Sequence, residues 1–408
     1  MIYGGIPMKI TFTGDIMIEP PVLKAAKQKD GSYDFYPVFA PAQKLLSEAN
    51  LLIGNLETPL AGEAAGYTDD YYCFNAPDSY ADAVKKAGFH MVSTANNHTF
   101  DRGFEGAERT IQVLDEKGIG HHGSFRQGES RPEAWYTEVN GTKIAIVSYT
   151  YGTNYGGSGK KCLAEGDKEG TVNLLRPQTE SVYQPGVYRD PDWVDKVFKF
   201  LDDEKRGRVK KHMPGLVHNY PRADDRLDKK TMAPYVAKFQ ADIRKAKENA
   251  DVVIFYPHVG GQFNPLPGAI SEYVMDKGLD AGADAIMASH AHMVQKAELR
   301  EGVPCAYSMG NFNMDPDSSL MVHEYLPDYG LAVHLYVEDK KIIKTTFSIL
   351  KAVRKKKGQI CAWPVDELYP TLNEKEKALL EKDVRQMVKT VTGSEPQGDV
   401  ILREYLIA

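Results

Sequence analysis

Six side chains of metal-ligating type recur at the ends of short apolar runs. Lys9-Ile10-Thr11-Phe12 leads to Asp15, Leu51-Leu52-Ile53 to Glu57, and Met91-Val92-Ser93-Thr94 to Asn97. In the second half, Asp251-Val252-Val253-Ile254-Phe255-Tyr256 leads to His258, and Ala285-Ile286-Met287 to His290 and His292. Carboxylate, imidazole and amide oxygens hold divalent ions for hydrolysis at neutral pH, with one position left open for water or substrate. In an extended segment His290 and His292 project to one side, because strand side chains alternate with period two. Each element alone has a plainer reading: Gly14-Asp15 as a turn, His290-Ala291-His292 as surface or satisfied core histidines, and Asn96-Asn97 as a helix cap. Their joint recurrence at successive strand ends favours a shared site.

The elements that must position these residues follow from periodicity. Further apolar runs, Ile144-Ala145-Ile146-Val147 and Cys305-Ala306-Tyr307, deliver Tyr149, Tyr151, Asn154 and Asn311, which suit a pocket wall as well as packing or turn roles. Helical spacing links Val236, Phe239, Ile243, Ala246 and Ala250, and extends from Ala107 to Ile111 and Leu114. Strands alternating with helices predict an α/β fold on largely parallel strands, whose ligand site gathers at the strands' carboxyl ends. Residues 1–355 then read as one domain, with a decorated insertion at 152–230 containing Gly156-Gly157-Ser158-Gly159 and Lys205-Arg206-Gly207-Arg208. Such an insertion suits a lid, a substrate wall or a solvated excursion. Residues 356–408 read as a C-terminal helical extension, with a helix from Asn373 to Val391. The run Arg354-Lys355-Lys356-Lys357 is a solvated edge or an attractor of an anionic polymer.

Composition excludes several classes. In 408 residues the hydrophobic share is 42%, the charged share 26% and the net charge −6, values of an ordinary globular chain. No basic stripe interleaved with aromatics points to nucleic acid. Cys73, Cys162, Cys305 and Cys361 are scattered and form no CxxC pair, which predicts free thiols. The first residues, MIYGGIPMKITF, lack a signal-peptide pattern, and nothing reaches the length of a spanning helix. The expectation is a soluble chain, cytoplasmic by default.

Taken in order, the motifs Gly14-Asp15-Ile16-Met17, Asn55-Leu56-Glu57, Ala95-Asn96-Asn97-His98 with Asp101 and Gly103, and Tyr149-Thr150-Tyr151-Gly152-Thr153-Asn154 carry a resemblance. His258-Val259-Gly260, Ser289-His290-Ala291-His292-Met293-Val294-Gln295 and Tyr307-Ser308-Met309-Gly310-Asn311-Phe312 complete it. The set resembles the CapA/PgsA capsule-synthesis family, which is linked to poly-γ-glutamate biosynthesis and is similar to calcineurin-like metallophosphoesterases. The resemblance implies a four-layer α/β/β/α sandwich with one or two divalent ions (Mn, Zn, Fe or Mg) between the ends of two sheets. It implies Asp15 and His292 on a first metal, Glu57 bridging, and Asn97, His258 and His290 on a second. His98 would be the general acid, Asp101 would orient its ring, and water acidified by the cations would be the nucleophile. The implied ligand is an acidic polymer or a phosphorylated small molecule, the implied partners are other capsule-synthesis proteins, and the family also admits cell-surface association.

The pattern departs from the phosphoesterases at three places. Met17 stands where an imidazole is usual, although methionine is usual in the capsule family. Gln262 stands where a glutamate is common, and Ser289 replaces a glycine before the histidine pair. Two functions follow: a metal-dependent hydrolase of phosphoester or related acyl or amide bonds, or a non-catalytic metal-containing component that binds an acidic capsule polymer or its precursor.

Overall fold

The computed structural model describes residues 7–154, 164, 166–178, 200–212, 227–318, 321–355 and 358–407. Most of the 152–230 insertion, including Gly156-Gly157-Ser158-Gly159, lies outside them, as do Cys162, Lys356 and Lys357. Cys73, Cys305 and Cys361 are buried, and Cys305 and Cys361 are free thiols, as their spacing predicts.

Two sheets form the frame. The first runs from edge to edge as Ile360–Pro364 (β13), Lys341–Arg354 (β12), Tyr329–Glu338 (β11), Met8–Ile16 (β1), Leu51–Leu56 (β2), Met91–Ser93 (β3) and Gly120–His122 (β4). The second runs as Trp135–Val139 (β5), Thr142–Thr150 (β6), Val252–His258 (β7), Ala285–Met287 (β8), Val303–Ala306 (β10) and Ala297–Arg300 (β9). Four strands in each are parallel, β1 to β4 and β6, β7, β8 and β10, and the outer strands are antiparallel.

Strand alternation sets the layers. Ile144 and Ile146 of β6 face a core shared with Ile10 and Phe12 of β1, Ile53 of β2 and Val333 of β11. Ala145 and Val147, one residue out of phase, face Val236, Phe239 and Ile243 of the helix Lys229–Asn249 and Val274 of the helix Ala269–Asp280. Leu52 and Val92 on the other sheet face Phe39, Leu45, Tyr80, Val84 and Leu114 from helical segments on that side. The result is a four-layer α/β/β/α sandwich, sheet against sheet with helices outside both.

Residues beyond 355 join this frame. β13 pairs with β12, and Tyr405–Leu406 (β14) pairs with β12 on the stretch Thr346–Phe347. The helix Glu374–Thr392 begins with a capping box of Asn373 and Glu376, and its Leu380, Val384, Met387 and Val391 enter the core between the sheets.

Candidate metal centre

The parallel strands of both sheets end on one side, and their exits are stitched together. Asp15 bridges to Asn311: the Asp15 N–H donates to the Gly310 carbonyl at 2.9 Å, and the Phe312 N–H donates to the Asp15 carbonyl at 2.9 Å. The contact requires glycine, since a Cβ at Gly14 would lie 2.4 Å from the Gly310 oxygen. Gly310 itself sits at φ 67°, in the left-handed region. Exits from the two halves of the chain are thereby held in one cluster.

Two groups of ligating atoms share Glu57: Glu57, His258 and His290, and Asp15, Glu57 and His292, each with its atoms within 4.8 Å of one another. Glu57 Oε1 is buried, accepts no hydrogen bond, and lies 3.5 Å from His258 Nε2, 3.6 Å from His292 Nε2 and 3.8 Å from His98 Nε2. A buried carboxylate oxygen left without a donor is costly, so this donor set fits divalent ions on either side of Glu57. Asn97 completes the second group, its Oδ1 2.7 Å from His258 Nε2, and His290 Nδ1 stands 3.1 Å from the same nitrogen. Asn97 Nδ2 donates to Asn154 Oδ1 at 3.0 Å, which directs the amide oxygen inward. On the first side, His292 Nδ1 is 3.5 Å from Asp15 Oδ2.

The geometry at the histidine pair differs from the extended segment read from its spacing. His290 has φ 108° and His292 φ 52°, so a turn past the end of β8, rather than strand alternation, brings both rings to the site. Such conformations are unfavourable for residues with a Cβ and persist where surroundings over-determine them. The positive φ falls on the histidines and not on Ser289, whose Oγ lies 2.9 Å from His258 Nδ1 and orients that ring. Serine therefore contributes a contact that a glycine lacks.

His98 lies beside the cluster. Its Nδ1 is 2.6 Å from Asp101 Oδ2, its ring stacks on Phe74 at 4.3 Å between centroids, and its Nε2 faces Glu57. The Asp101 carboxylate also accepts from the Phe74 N–H at 2.6 Å. Asn96 does not cap the following helix: its Oδ1 accepts the His98 N–H at 3.0 Å, and its Nδ2 donates to Asn55 Oδ1 and the Leu56 carbonyl. The helix Gly103–Glu116 starts later, after Arg102, without a side-chain cap.

Charge within this buried cluster is strained. Burial, with the Glu57 charge second, pushes Asp15 up to about 6, and burial also raises Glu57. Burial pulls His258 down to about 4. For His98 burial works the same way, but the Asp101 and Glu57 carboxylates outweigh it and hold the imidazole above its ordinary value. Bound cations reverse the balance at the ligands, because they are the largest local charges.

The wall residues divide. Tyr151 is placed at the site, its ring 4.4 Å from that of His290, and Asn154 Nδ2 lies 3.3 Å from His98 Nδ1. Tyr149 is not. It is still inside β6, fully buried in the outer core, and its hydroxyl donates to Asp242 while Arg131 donates to it. Asn311 is buried, with Oδ1 2.8 Å from His292 Nδ1 and Nδ2 donating to the His292 and Pro327 carbonyls. Its amide is spent on orienting the His292 ring and bracing the Pro327 carbonyl. Met17 is buried in the outer apolar cluster, and Gln262 is half-buried.

Four contributors were not among the candidate site residues of the sequence reading. Asn55 Nδ2 donates to Asp15 Oδ1 at 2.8 Å, Asn96 braces the turn, and Phe74 stacks on His98. Arg176, from the 152–230 insertion, packs over the Tyr151 ring at 4.8 Å and donates to the Tyr151 carbonyl. Asn55 and Asn96 stand in the motifs at strand ends and could have been found there; Phe74 and Arg176 carry no local signal.

Residues 9–316 match the family described as Bacterial capsule synthesis protein PGA_cap. The chain belongs to this family. Among similar proteins, an uncharacterized protein of Sinorhizobium fredii is 28% identical over 310 residues, 69% of this chain and 62% of that protein. The capsule biosynthesis protein CapA of Bacillus anthracis is 24% identical over 334 residues, 80% of this chain and 66% of that protein. The chain thus spans a little under two thirds of the length of the curated relatives it matches. A solved protein of Thermus thermophilus aligns over 84% of this chain and 99% of its own at TM-score 0.42 and 14% identity. The layered architecture rests on the packing alone. No helix among the described residues is long and apolar enough to cross a membrane.

Proposed function

We propose that this capsule-family chain is a metal-dependent, phosphoesterase-like hydrolase acting on an acidic polymer or a phosphorylated small molecule in capsule synthesis, alongside other capsule-synthesis proteins. The observation that carries this reading is His98, paired with Asp101 and aimed at Glu57 where the two ligand groups meet. Binding an anion needs cations and donors, but no dedicated proton donor.

Asp15, Glu57 and His292 would hold one divalent ion, and Glu57, Asn97, His258 and His290 another. Such ions, of Mn, Zn, Fe or Mg type, supply Lewis acidity towards an anionic oxygen and make water more acidic. Against the effect of burial, the Asp101 and Glu57 carboxylates hold the His98 imidazole above its ordinary value; with Asp101 accepting from Nδ1, Nε2 would be the atom that gives a proton to a departing oxygen. Phe74 and Asn154 restrain the ring, and Tyr151 shields the His290 side from water.

A second reading, a non-catalytic metal-containing component that binds the acidic polymer or its precursor, is favoured by Met17. Its thioether is a poor ligand for a hard cation and lies in the apolar cluster, so the first group has a single imidazole, that of His292. The test is metal content of the purified protein together with turnover of a phosphomonoester and a phosphodiester. His98→Ala is expected to keep the metal and lower kcat by roughly 10²- to 10⁴-fold. A protein that retains no metal and gains no turnover with Mn²⁺ or Zn²⁺ refutes the hydrolase. Retained metal with unchanged kcat in His98→Ala refutes the proton donor.

A further inference from the structure

A cavity of about 700 Å³ opens between the carboxyl end of β12, the helix Pro20–Ala26 and the helix Asp203–His212. None of the proposed metal ligands lines it. Six cationic side chains do, Lys24, Arg208, Lys211, Lys351, Arg354 and Lys355, against two acidic ones, Asp317 and Asp328. The chain as a whole has a net charge of −6, so this is a local reversal of sign.

Cations outnumber acids on the lining of this cavity by six to two. Asp317 serves three cations at once, at 3.3 Å from Lys211, 3.4 Å from Arg208 and 3.5 Å from Arg354. Below it, Asp315 holds both oxygens 3.0 Å from Arg354 Nη1 and fixes that guanidinium in place, and Asp328 holds Lys351 at 3.0 Å. Lys24 and Lys355 are exposed and make no ion pair with described residues; Lys355 Nζ sits 4.9 Å above the Trp363 ring. A concave surface of one sign concentrates counter-ions of the other.

We infer that this cavity is a second binding site, separate from the metal centre, for a ligand carrying two or more closely spaced anionic groups, carboxylate or phosphate. The floor is the braced Arg354, and Lys24 and Lys355 form the adaptable rim. The site stands independently of the hydrolase reading.

Calorimetric titration of the full metal-loaded chain with citrate and with pyrophosphate tests it. Both probes also engage metal ions, so the informative background is Asp15→Asn, in which the metal centre is impaired. On that background Lys24→Glu with Lys355→Glu is expected to weaken binding by at least about tenfold, and the Gln pair by less, while high salt weakens the parent similarly. Loss of citrate binding alone marks a carboxylate ligand, and loss of pyrophosphate binding alone a phosphate ligand. Both lysines are exposed, so an unchanged Tm is expected and separates lost binding from lost folding. The inference is overturned if Asp15→Asn binds neither probe, or if charge reversal leaves both affinities within about twofold.

Discussion

Replacing Glu57 by glutamine has opposite effects on the bare and the metal-loaded protein. Without metal, Glu57 Oε1 is a buried charged oxygen with no donor, and its charge helps lift Asp15 from an ordinary 3.8 to about 6. That lift corresponds to about 3 kcal/mol in total, of which burial is the larger part and Glu57 the next. An unsatisfied buried acceptor costs a further ~1–3 kcal/mol. Glu57→Gln removes the charge and offers an N–H₂ group to imidazole nitrogens 3.5 to 3.8 Å away, so the chelator-treated variant is expected to be about 1–3 kcal/mol more stable than the parent. With metal the sign reverses. An ion at a hundred times its Kd adds about 2.7 kcal/mol to the native state, and a variant without the shared carboxylate loses most of that. Urea denaturation at pH 8, in chelator and in Mn²⁺ or Zn²⁺, measures both quantities. A variant that is destabilised in chelator, with an unchanged metal increment, would show that Glu57 is a structural carboxylate and not a shared ligand.

Two further perturbations follow from the same packing. Gly14→Ala places a Cβ 2.4 Å from the Gly310 oxygen, a backbone atom that can yield only by parting β1 from the chain after β10. The expected loss is about 3 kcal/mol of unfolding free energy by urea denaturation, together with reduced metal retention; a loss under about 1 kcal/mol contradicts the stitched exits. His334, buried between Thr11 and Ser348, is pulled down to about 3 by burial. An unfolded histidine takes its proton near 6.5, so this contribution is present above that pH and is lost as pH falls towards 3, at about 1.4 kcal/mol per pH unit. His334→Gln is expected to flatten the acid limb of the stability curve by that slope, and an unaltered limb refutes the assignment.

How much of the site was legible depended on how local its cause is. Asp15, Glu57, Asn97, His258, His290 and His292 were readable because each follows an apolar run directly, and in parallel α/β folds such exits share one end. The distinction between Tyr149 and Tyr151 was not readable. Both have the same strand parity, but β6 ends at Thr150, so Tyr149 is carried under the outer helices and Tyr151 turns into the site. Asn311 resembled a wall residue because its partners, His292 and Pro327, are set by chain crossing and not by spacing.

By itself the sequence determined the α/β class, the strand exits that carry ligating chemistry and the C-terminal helix with its cap, because each is a pattern within a few neighbouring residues. Only the tertiary structure decided that Gly14 meets Gly310, that a turn with positive φ aims His290 and His292, and that β13, β14 and the last helix join the core. It alone gathered Lys24, Arg208 and Lys355 around one cavity. The physical reason is common to these cases. Sheet pairing, close backbone approach and charge accumulation join residues hundreds of positions apart, and no local periodicity encodes which distant partner each will meet.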